Sequence, residues 1–388
     1  MKVKQKKLKE AILLLILIFN DHAYHMLGDS RVWNFLSLIL VVLLFFLYFD
    51  IKKDKNMLYV TIFFISINVF SAIVTYLCGY QSYYEAFLAY LPILFSLISL
   101  VFFGEKDNDI IQSSIEKLSV IISSLYILQK IFFPKIIFIS EFSFRNNQIR
   151  FYVGVLPLVI GTLFLIGKLI EKRNIWILLP VILNIYCIVY IIQARSVTIA
   201  LFLAILSTSM KFFIDKLKNK KIFLLAIMLL PLVILCIYVF GNYVYSTVDN
   251  SISSNESSSV IRFQAYKYYW NLFTQHPISG TGIIYNKSLD GLSTLGYNSG
   301  LYIDDIGIVG YISQLGLLAI IFTFIWFKLM IKYTVKIANF DFFSITLYFI
   351  LILPFNCIFN INSYILYAFL ILNLTYFTYQ KSKRDDNT

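Results

Sequence analysis

The chain has 388 residues, of which 59% are hydrophobic and 14% charged, and its formal net charge is +12. Soluble domains have roughly 45–50% apolar and about 25% charged residues, so this composition excludes an ordinary soluble domain. The basic residues cluster between long apolar runs and form no aromatic-interleaved basic groove, which excludes a nucleic acid partner and indicates membrane topology.

Apolar runs long enough to cross a bilayer recur along the whole chain. Twelve are predicted as transmembrane helices: 10–27, 33–50, 57–77, 86–104, 118–134, 151–170, 175–194, 197–213, 222–242, 304–328, 342–359 and 364–380. The first is the weakest, because Asp21, His22 and His25 fall near its end. The pattern predicts an all-α polytopic membrane protein of about 12 transmembrane helices, with residues 1–388 in one integral membrane domain.

The segments between these runs differ in their basic residues. With the N terminus in the cytoplasm, most of the 33 lysine and arginine residues fall on inner segments, as the positive-inside rule requires. An even number of spans then places both termini in the cytoplasm. The sequence therefore predicts a multi-pass protein of the cytoplasmic membrane.

Arginine is the more frequent basic residue at the outward positions, whereas lysine is the more frequent one at the inner positions. The outward arginines are Arg31, Arg145, Arg150, Arg195 and Arg262. Arginine binds phosphate through two parallel hydrogen bonds, so this set predicts phosphate recognition on the outer face. The alternative is a lysine-rich composition in which a few arginines fall outside by chance.

Arg195 stands out because almost no loop separates the two spans around it. It lies in QARSVTIALFLAIL, residues 193–206, at the outer end of a predicted helix. A charge in that position needs a counter-ion or a path to water. A lipid diphosphate would serve as the counter-ion.

Residues 243–303 form the longest segment without a span and are predicted as one large extracytoplasmic loop. Within it, VIRFQAYKYYWNLFTQ, residues 260–275, has aromatic residues at spacings of three and four, which predicts an amphipathic helix. Arg262 lies at the predicted start of this helix, where backbone N–H groups favour an anion. A simple anchor in the membrane interface explains the same periodicity.

The segment HPISGTG follows the predicted helix. Pro277 ends the helix, and Gly280 and Gly282 permit positive φ, so the three are predicted as a hinge before the chain re-enters the membrane. Asp304 and Asp305 stand at the mouth of the next span, where ionisable residues are functional candidates. A solvated pair marking the membrane boundary is the alternative for these aspartates.

The sequence predicts neither a metal site nor a bound cofactor. The four cysteines are far apart and form no CxxC or Cys/His pattern. No GxxxxGK[ST] or GxGxxG motif is present, so a nucleotide site is not indicated.

Three stretches together resemble the family of Wzy-type O-antigen and capsule polysaccharide polymerases and O-antigen ligases. They are QARSVTIAL, RFQAYKYYWNLFTQHPISGTG and YNSGLYIDDIGIVGYISQLGLL, in this order. The resemblance implies a GT-C-like glycosyltransferase that works on the outer face without metal or nucleotide. Its substrate would be an oligosaccharide linked to undecaprenyl diphosphate, and a chain-length regulator and a flippase would be its partners besides membrane lipids.

The resemblance also implies roles for the singled-out residues. Arg145, Arg150, Arg195 and Arg262 would hold the diphosphate leaving group. The acceptor proton needs a base, and Asp304, Asp305 and His276 remain three open candidates.

Polymerase is favoured over ligase by one departure from the family pattern. Ligase-like members tend to have a histidine–asparagine pair near the re-entry, where this chain has Tyr297 and Asn298. A lipid-linked oligosaccharide flippase is the alternative from another class. A flippase is expected to have charged residues deep in several spans, whereas the polar residues of this chain lie near the outer ends of its predicted spans.

Overall fold

The computed structural model describes residues 2–21, 30–49, 55–79, 81–102, 105–139, 142–145, 148–151, 154–216, 257–285, 296–359 and 364–385. Over these residues the chain folds into helices and one short β-hairpin. The helices are α1 Lys2–Asn20, α2 Ser30–Tyr48, α3 Lys55–Leu77, α4 Tyr83–Tyr90, α5 Glu105–Phe132, α6 Val155–Lys172, α7 Leu178–Tyr186, α8 Arg195–Lys216, α9 Ser257–Gln275, α10 Gly307–Leu315, α11 Leu317–Ile337, α12 Phe340–Ile352 and α13 Tyr364–Asp385. The hairpin pairs β1 Phe142–Arg145 with β2 Gln148–Phe151.

Two helices continue in a different helical form. A 3₁₀ segment, Leu91–Leu100, extends α4, and a π-helical segment, Cys187–Ile192, extends α7. Further 3₁₀ turns cover Ile175–Ile177, Tyr297–Ser299 and Ile303–Ile306.

The predicted fold class, an all-α polytopic membrane protein, is confirmed. Six helical stretches in the described part of the chain are long and apolar enough to cross a membrane. They are Lys55–Leu77, Tyr83–Leu100, Asp107–Phe132, Ile175–Ile192, Arg195–Phe212 and Leu317–Ile337. The count of twelve stays a prediction, and its span 222–242 lies outside the described residues.

One predicted span is divided in the structure. The sequence predicts a single helix over residues 304–328, but α10 ends at Leu315 and α11 begins at Leu317. Gly316 between them has φ +64°, and a Cβ there would lie 2.4 Å from the carbonyl oxygen of Ile278. The spanning helix is therefore α11, whose 21 residues extend for roughly 31 Å.

Ion pairs gather at one end of the bundle, here called the lysine end. Lys9 lies 3.3 Å from Asp107, and Lys168 lies 2.6 Å from Glu116. These contacts bring together the first half of α1, the first half of α5 and the last part of α6. Which end faces the cytoplasm stays a prediction.

The opposite end, here called the hairpin end, comprises β1–β2, the N terminus of α8 and the turn 353–356 after α12. Because α6 ends among the ion pairs, its N terminus at Val155 lies at the hairpin end. Phe212 near the end of α8 contacts Phe340 at the start of α12, with ring centroids 5.9 Å apart. The antiparallel packing of α8 and α12 then places the start of α8 beside the end of α12.

Candidate diphosphate and catalytic site

Helix α9 begins earlier than the sequence predicts. It starts at Ser257, so Arg262 lies in its second turn and not at its N terminus, and the predicted help from helix-end N–H groups does not apply to Arg262. Ala265 and Tyr269 are buried against the bundle, whereas Phe263, on the other side of the helix, is 72% exposed. The helix thus has two distinct sides, and its position in the membrane interface stays a prediction.

Arg262 and Asp305 meet across the gap between α9 and the 3₁₀ turn that precedes α10. Arg262 Nη2 lies 3.8 Å from Asp305 Oδ1, and both side chains are about half exposed. Tyr269 Oη donates to the Leu301 carbonyl at 3.0 Å and fixes the turn's approach to the helix. Two of the predicted site residues, a phosphate ligand and a candidate base, are therefore neighbours.

The turn after α12 holds this pair in place. Tyr266 Oη donates to the Pro354 carbonyl, and burial raises the pKa of Tyr266, so its hydroxyl stays protonated. Ile308 N donates to the Leu353 carbonyl at 2.9 Å. A Cβ at Gly307 would lie only 2.2 Å from the same carbonyl, so glycine permits this approach. The side chain of Asp304, in the same acidic turn, lies outside what the structure describes.

A small cleft lies beside the same turn, and its free space of about 10 Å³ is enough for roughly one water molecule. Its lining is mostly aliphatic, with two tyrosines and one asparagine: Val155, Leu156, Val197, Tyr348, Ile352, Asn356, Ile358 and Tyr364. Asn356 Nδ2 donates to Tyr364 Oη at 3.2 Å. Residues 352–356 thus contact the Arg262–Asp305 region on one side and line the cleft on the other.

Arg195 opens helix α8, as the sequence predicts for a span start, and lies two residues before Val197 of the cleft lining. The first hydrogen bond of α8 runs from Thr198 N to the Ala194 carbonyl at 3.0 Å. The helix dipole favours negative charge at such a helix N terminus. The start of α8 thus combines a guanidinium with an anion-favouring helix terminus.

The hairpin brings a further arginine to this end. Its register pairs Ser143 with Arg150 and Phe144 with Ile149, so one face is polar and the other aromatic. Strand β2 packs against the π-helical segment that leads to α8. Arg150 therefore lies on an element adjacent to the start of α8. Arg145 is paired with Gln148, and its side chain lies outside the described set, as does that of Arg31.

The structure does not bring His276 to Asp305. His276 continues the hydrogen bonding of α9, because its N donates to the Leu272 carbonyl at 3.1 Å. Fourteen residues separate positions 262 and 276, which corresponds to roughly 21 Å along a helix. One catalytic group therefore cannot include both His276 and the Asp305 that touches Arg262.

The segment after His276 forms backbone hydrogen bonds with the end of α10 and the start of α11. Thr281 N and Gly282 N donate to the Ser313 and Gln314 carbonyls, at 2.9 and 2.8 Å. Leu317 N donates to the Pro277 carbonyl at 2.8 Å. These bonds satisfy backbone groups that the break at Gly316 would otherwise leave open. The hinge role of Pro277, Gly280 and Gly282 stays a prediction.

Sequence reasoning missed the residues that hold this segment from the other side. Gln81 Nε2 donates to the Ile283 carbonyl at 2.9 Å, and Tyr285 N donates to Gln81 Oε1 at 2.7 Å. Tyr90 Oη accepts from Ile283 N at 2.7 Å. Gln81 and Tyr90 are about 200 positions away along the chain, and no local pattern in the sequence signals such a contact.

Replacing Gly282 with alanine is expected to destabilise the protein by roughly 2–4 kcal/mol. Gly282 has φ +80°, and an added Cβ would lie 1.5 Å from Thr75 Oγ1. Thermal unfolding of the purified protein in detergent measures the loss. Adding Thr75→Ala removes the closest clash and should recover only part of the loss, because Thr75 Cβ would still lie 2.8 Å from the new Cβ and the φ penalty remains. A single Gly282→Ala variant as stable as the parent would contradict the described packing.

Within the described residues, no group of three or more His, Cys, Asp or Glu side chains is arranged to hold a metal ion. Metal-independent chemistry stays a prediction.

Comparison with known proteins gives one family. Residues 178–303 match the family model Wzy_C, described as O-antigen ligase. The match covers about a third of the chain, from the start of α7 to Ile303, and includes Arg195, Arg262 and His276. The resemblance drawn from the sequence is thereby confirmed over this segment. No curated protein matches the chain.

The family covers O-antigen ligase- and polymerase-type enzymes, which are glycosyltransferase-like and act on lipid-linked sugars. The match does not separate the two types.

Proposed function

We propose that this chain is an oligosaccharide repeat-unit polymerase related to the O-antigen ligases. It transfers the growing polysaccharide from undecaprenyl diphosphate to a new lipid-linked repeat unit on the outer face of the cytoplasmic membrane. The family match supports the enzyme class. The observation on which the proposal mainly rests is the Arg262–Asp305 pair, held by the turn that also lines the cleft next to α8.

The arginines at the hairpin end stabilise the leaving group. As the sugar–oxygen bond breaks, negative charge develops on the lipid diphosphate, and fixed guanidinium groups lower the energy of that charge. Arg195 at the start of α8 and Arg262 on α9 supply this charge, and Arg150 and Arg145 on the hairpin extend it. The helix terminus behind Arg195 adds N–H dipoles of the same sign.

Asp305 acts as the base. The acceptor hydroxyl attacks the anomeric carbon of the donor sugar, and the new carbon–oxygen bond replaces the bond to diphosphate. The hydroxyl proton passes to the Asp305 carboxylate, and the lipid diphosphate leaves with the electron pair. Because the leaving group is activated by guanidinium groups of the chain itself, the step uses no cofactor. Asp304, in the same acidic turn, is the second candidate, and His276 lies too far along α9 to join them.

Two features support the outer face as the site of this reaction. The lysine end, with its dense ion pairs, fits the cytoplasmic side, and both termini then lie in the cytoplasm. The arginines singled out for phosphate binding belong to elements of the opposite end. A flippase that delivers lipid-linked units and a chain-length regulator are the partners that fit this placement.

O-antigen ligase is the second candidate, and the match to a family of O-antigen ligases favours it. Ligase and polymerase share the donor and its diphosphate but differ in the acceptor. The acceptor of a ligase is a different lipid-anchored sugar, whereas that of a polymerase is another repeat unit. Tyr297 and Asn298 stand where ligase-like members tend to have a histidine–asparagine pair, which supports the polymerase.

Deletion of the gene separates the two candidates. We expect cells without this chain to accumulate single lipid-linked repeat units and to lose long polymer, as judged by gel analysis of extracted lipid-linked saccharides. A deletion strain that accumulates long polymer on its lipid carrier would instead identify a ligase. A deletion strain with a wild-type pattern would refute both.

A further inference from the structure

The connection between α7 and α8 is unusually short. The π-helical segment Cys187–Ile192 ends α7, and only Gln193 and Ala194 precede Arg195 of α8. Helix–helix connections of two residues are at the lower limit of what bundles use. The backbone of these two residues therefore determines the direction in which α8 leaves.

Gln193 has a backbone conformation that residues with a Cβ rarely adopt. Its φ is +54° and its ψ is +29°, in the left-handed region. Left-handed backbone is unfavourable for L-residues other than glycine, so the surrounding structure must hold it. The Gln193 side chain contributes, because its Nε2 donates to the Tyr190 carbonyl at 3.2 Å.

The left-handed backbone of Gln193 and its hydrogen bond to Tyr190 both act on the first turn of α8. The left-handed residue reverses the chain at the end of the π-helical segment, and Ala194 then accepts the first hydrogen bond of α8. Arg195, the first residue of α8, follows directly. A change of conformation at residue 193 would rotate this turn, and Arg195 with it, relative to the cleft lined by Val197.

We propose that Gln193 is a positioning residue for the diphosphate-binding terminus of α8, in that its left-handed backbone and its bond to Tyr190 aim Arg195. The inference rests on the proposed function, because Arg195 is the group that binds the lipid diphosphate. Gln193 itself touches no substrate in this proposal.

Binding of undecaprenyl diphosphate to the purified chain in nanodiscs tests this role. Gln193→Gly removes the bond to Tyr190 but permits the left-handed backbone at no steric cost, so it is expected to weaken binding by no more than about threefold. Gln193→Val disfavours that backbone and is expected to weaken binding by about tenfold. In the transfer reaction the same variant should raise KM for the donor more than it lowers kcat.

The chain offers a matched control at the lysine end. Ala338 also has φ +54°, and it ends α11 far from Arg195. Ala338→Val should lower thermal stability yet leave undecaprenyl diphosphate binding unchanged. Equal weakening by Ala338→Val, or parent-like binding by Gln193→Val, would overturn the positioning role alone. A parent protein that binds no undecaprenyl diphosphate would overturn this proposal together with the proposed function.

Discussion

Replacing Asp305 with asparagine is expected to slow repeat-unit transfer by roughly 10²–10⁴-fold, the usual contribution of a general base. The change keeps the size of the side chain but removes the group that accepts the hydroxyl proton. Turnover is measured with purified protein and a synthetic lipid-linked repeat unit, at saturating concentration. The decrease in turnover should appear in kcat.

Asp305→Asn also removes the partner of Arg262, so a second readout is needed. The two side chains are about half exposed, and an ion pair of this kind contributes little to stability. Thermal stability and undecaprenyl diphosphate affinity should therefore stay close to the parent values. His276→Asn is the matched control and should retain most of the activity. Loss of turnover in His276→Asn together with normal turnover in Asp305→Asn would reverse the assignment of the base.

Replacing Arg262 with alanine is expected to lower turnover by roughly 10²–10³-fold, the usual cost of removing one group that stabilises a leaving charge. Arg262→Lys should recover only part of this loss, because an ammonium keeps the charge but not the two-point geometry. Arg195→Ala should have a comparable effect. Single lipid-linked units should persist in cells with either variant, whereas long polymer disappears.

Arg173→Ala is the control for a general loss of positive charge, since Arg173 follows α6 at the lysine end. It should leave turnover unchanged. The double variant Arg262→Ala with Asp305→Asn should lose less than the product of the two single losses, because the residues are neighbours. Normal polymer length in both Arg195→Ala and Arg262→Ala would contradict the assignment of the arginines.

The helical architecture could be predicted because a span is a local property of sequence. The apolar runs that became α3 and α11 exceed the length a bilayer needs, and no distant contact is required to recognise them. The start of α5 at Glu105 is not predicted, because a local apolar run marks only the apolar part of a helix. Residues 105–117 are mostly polar or charged, so the apolar run that hydropathy detects begins well after the helix does.

The break at Gly316 could not be predicted from its neighbourhood. A glycine within an apolar run usually indicates close helix packing, and the sequence around Gly316 offers nothing else. What breaks the helix is the distant segment 277–282, whose backbone pairs with Ser313, Gln314 and Leu317. Contacts of this kind depend on the fold and leave no periodic signal in the chain.

In the candidate site too, the residues can be recognised from the sequence, whereas the contacts between them cannot. The sequence singles out Arg262 as an outward arginine at the start of a predicted amphipathic helix, and Asp305 as an ionisable residue at the mouth of a predicted span. That they meet at 3.8 Å depends on how α9 packs on the acidic turn, which the sequence does not specify. The separation of His276 follows from helix rise once α9 is known to extend from Ser257 to Gln275.

Reconstitution tests the central claim most directly. Proteoliposomes containing the purified chain alone receive one kind of undecaprenyl-diphosphate-linked repeat unit and no other acceptor. The proposal predicts a ladder of lipid-linked products, each longer by one unit, with one undecaprenyl diphosphate released for each unit added. Single units that remain unchanged, while a different lipid-anchored sugar added in parallel is glycosylated, would contradict the polymerase and identify a ligase.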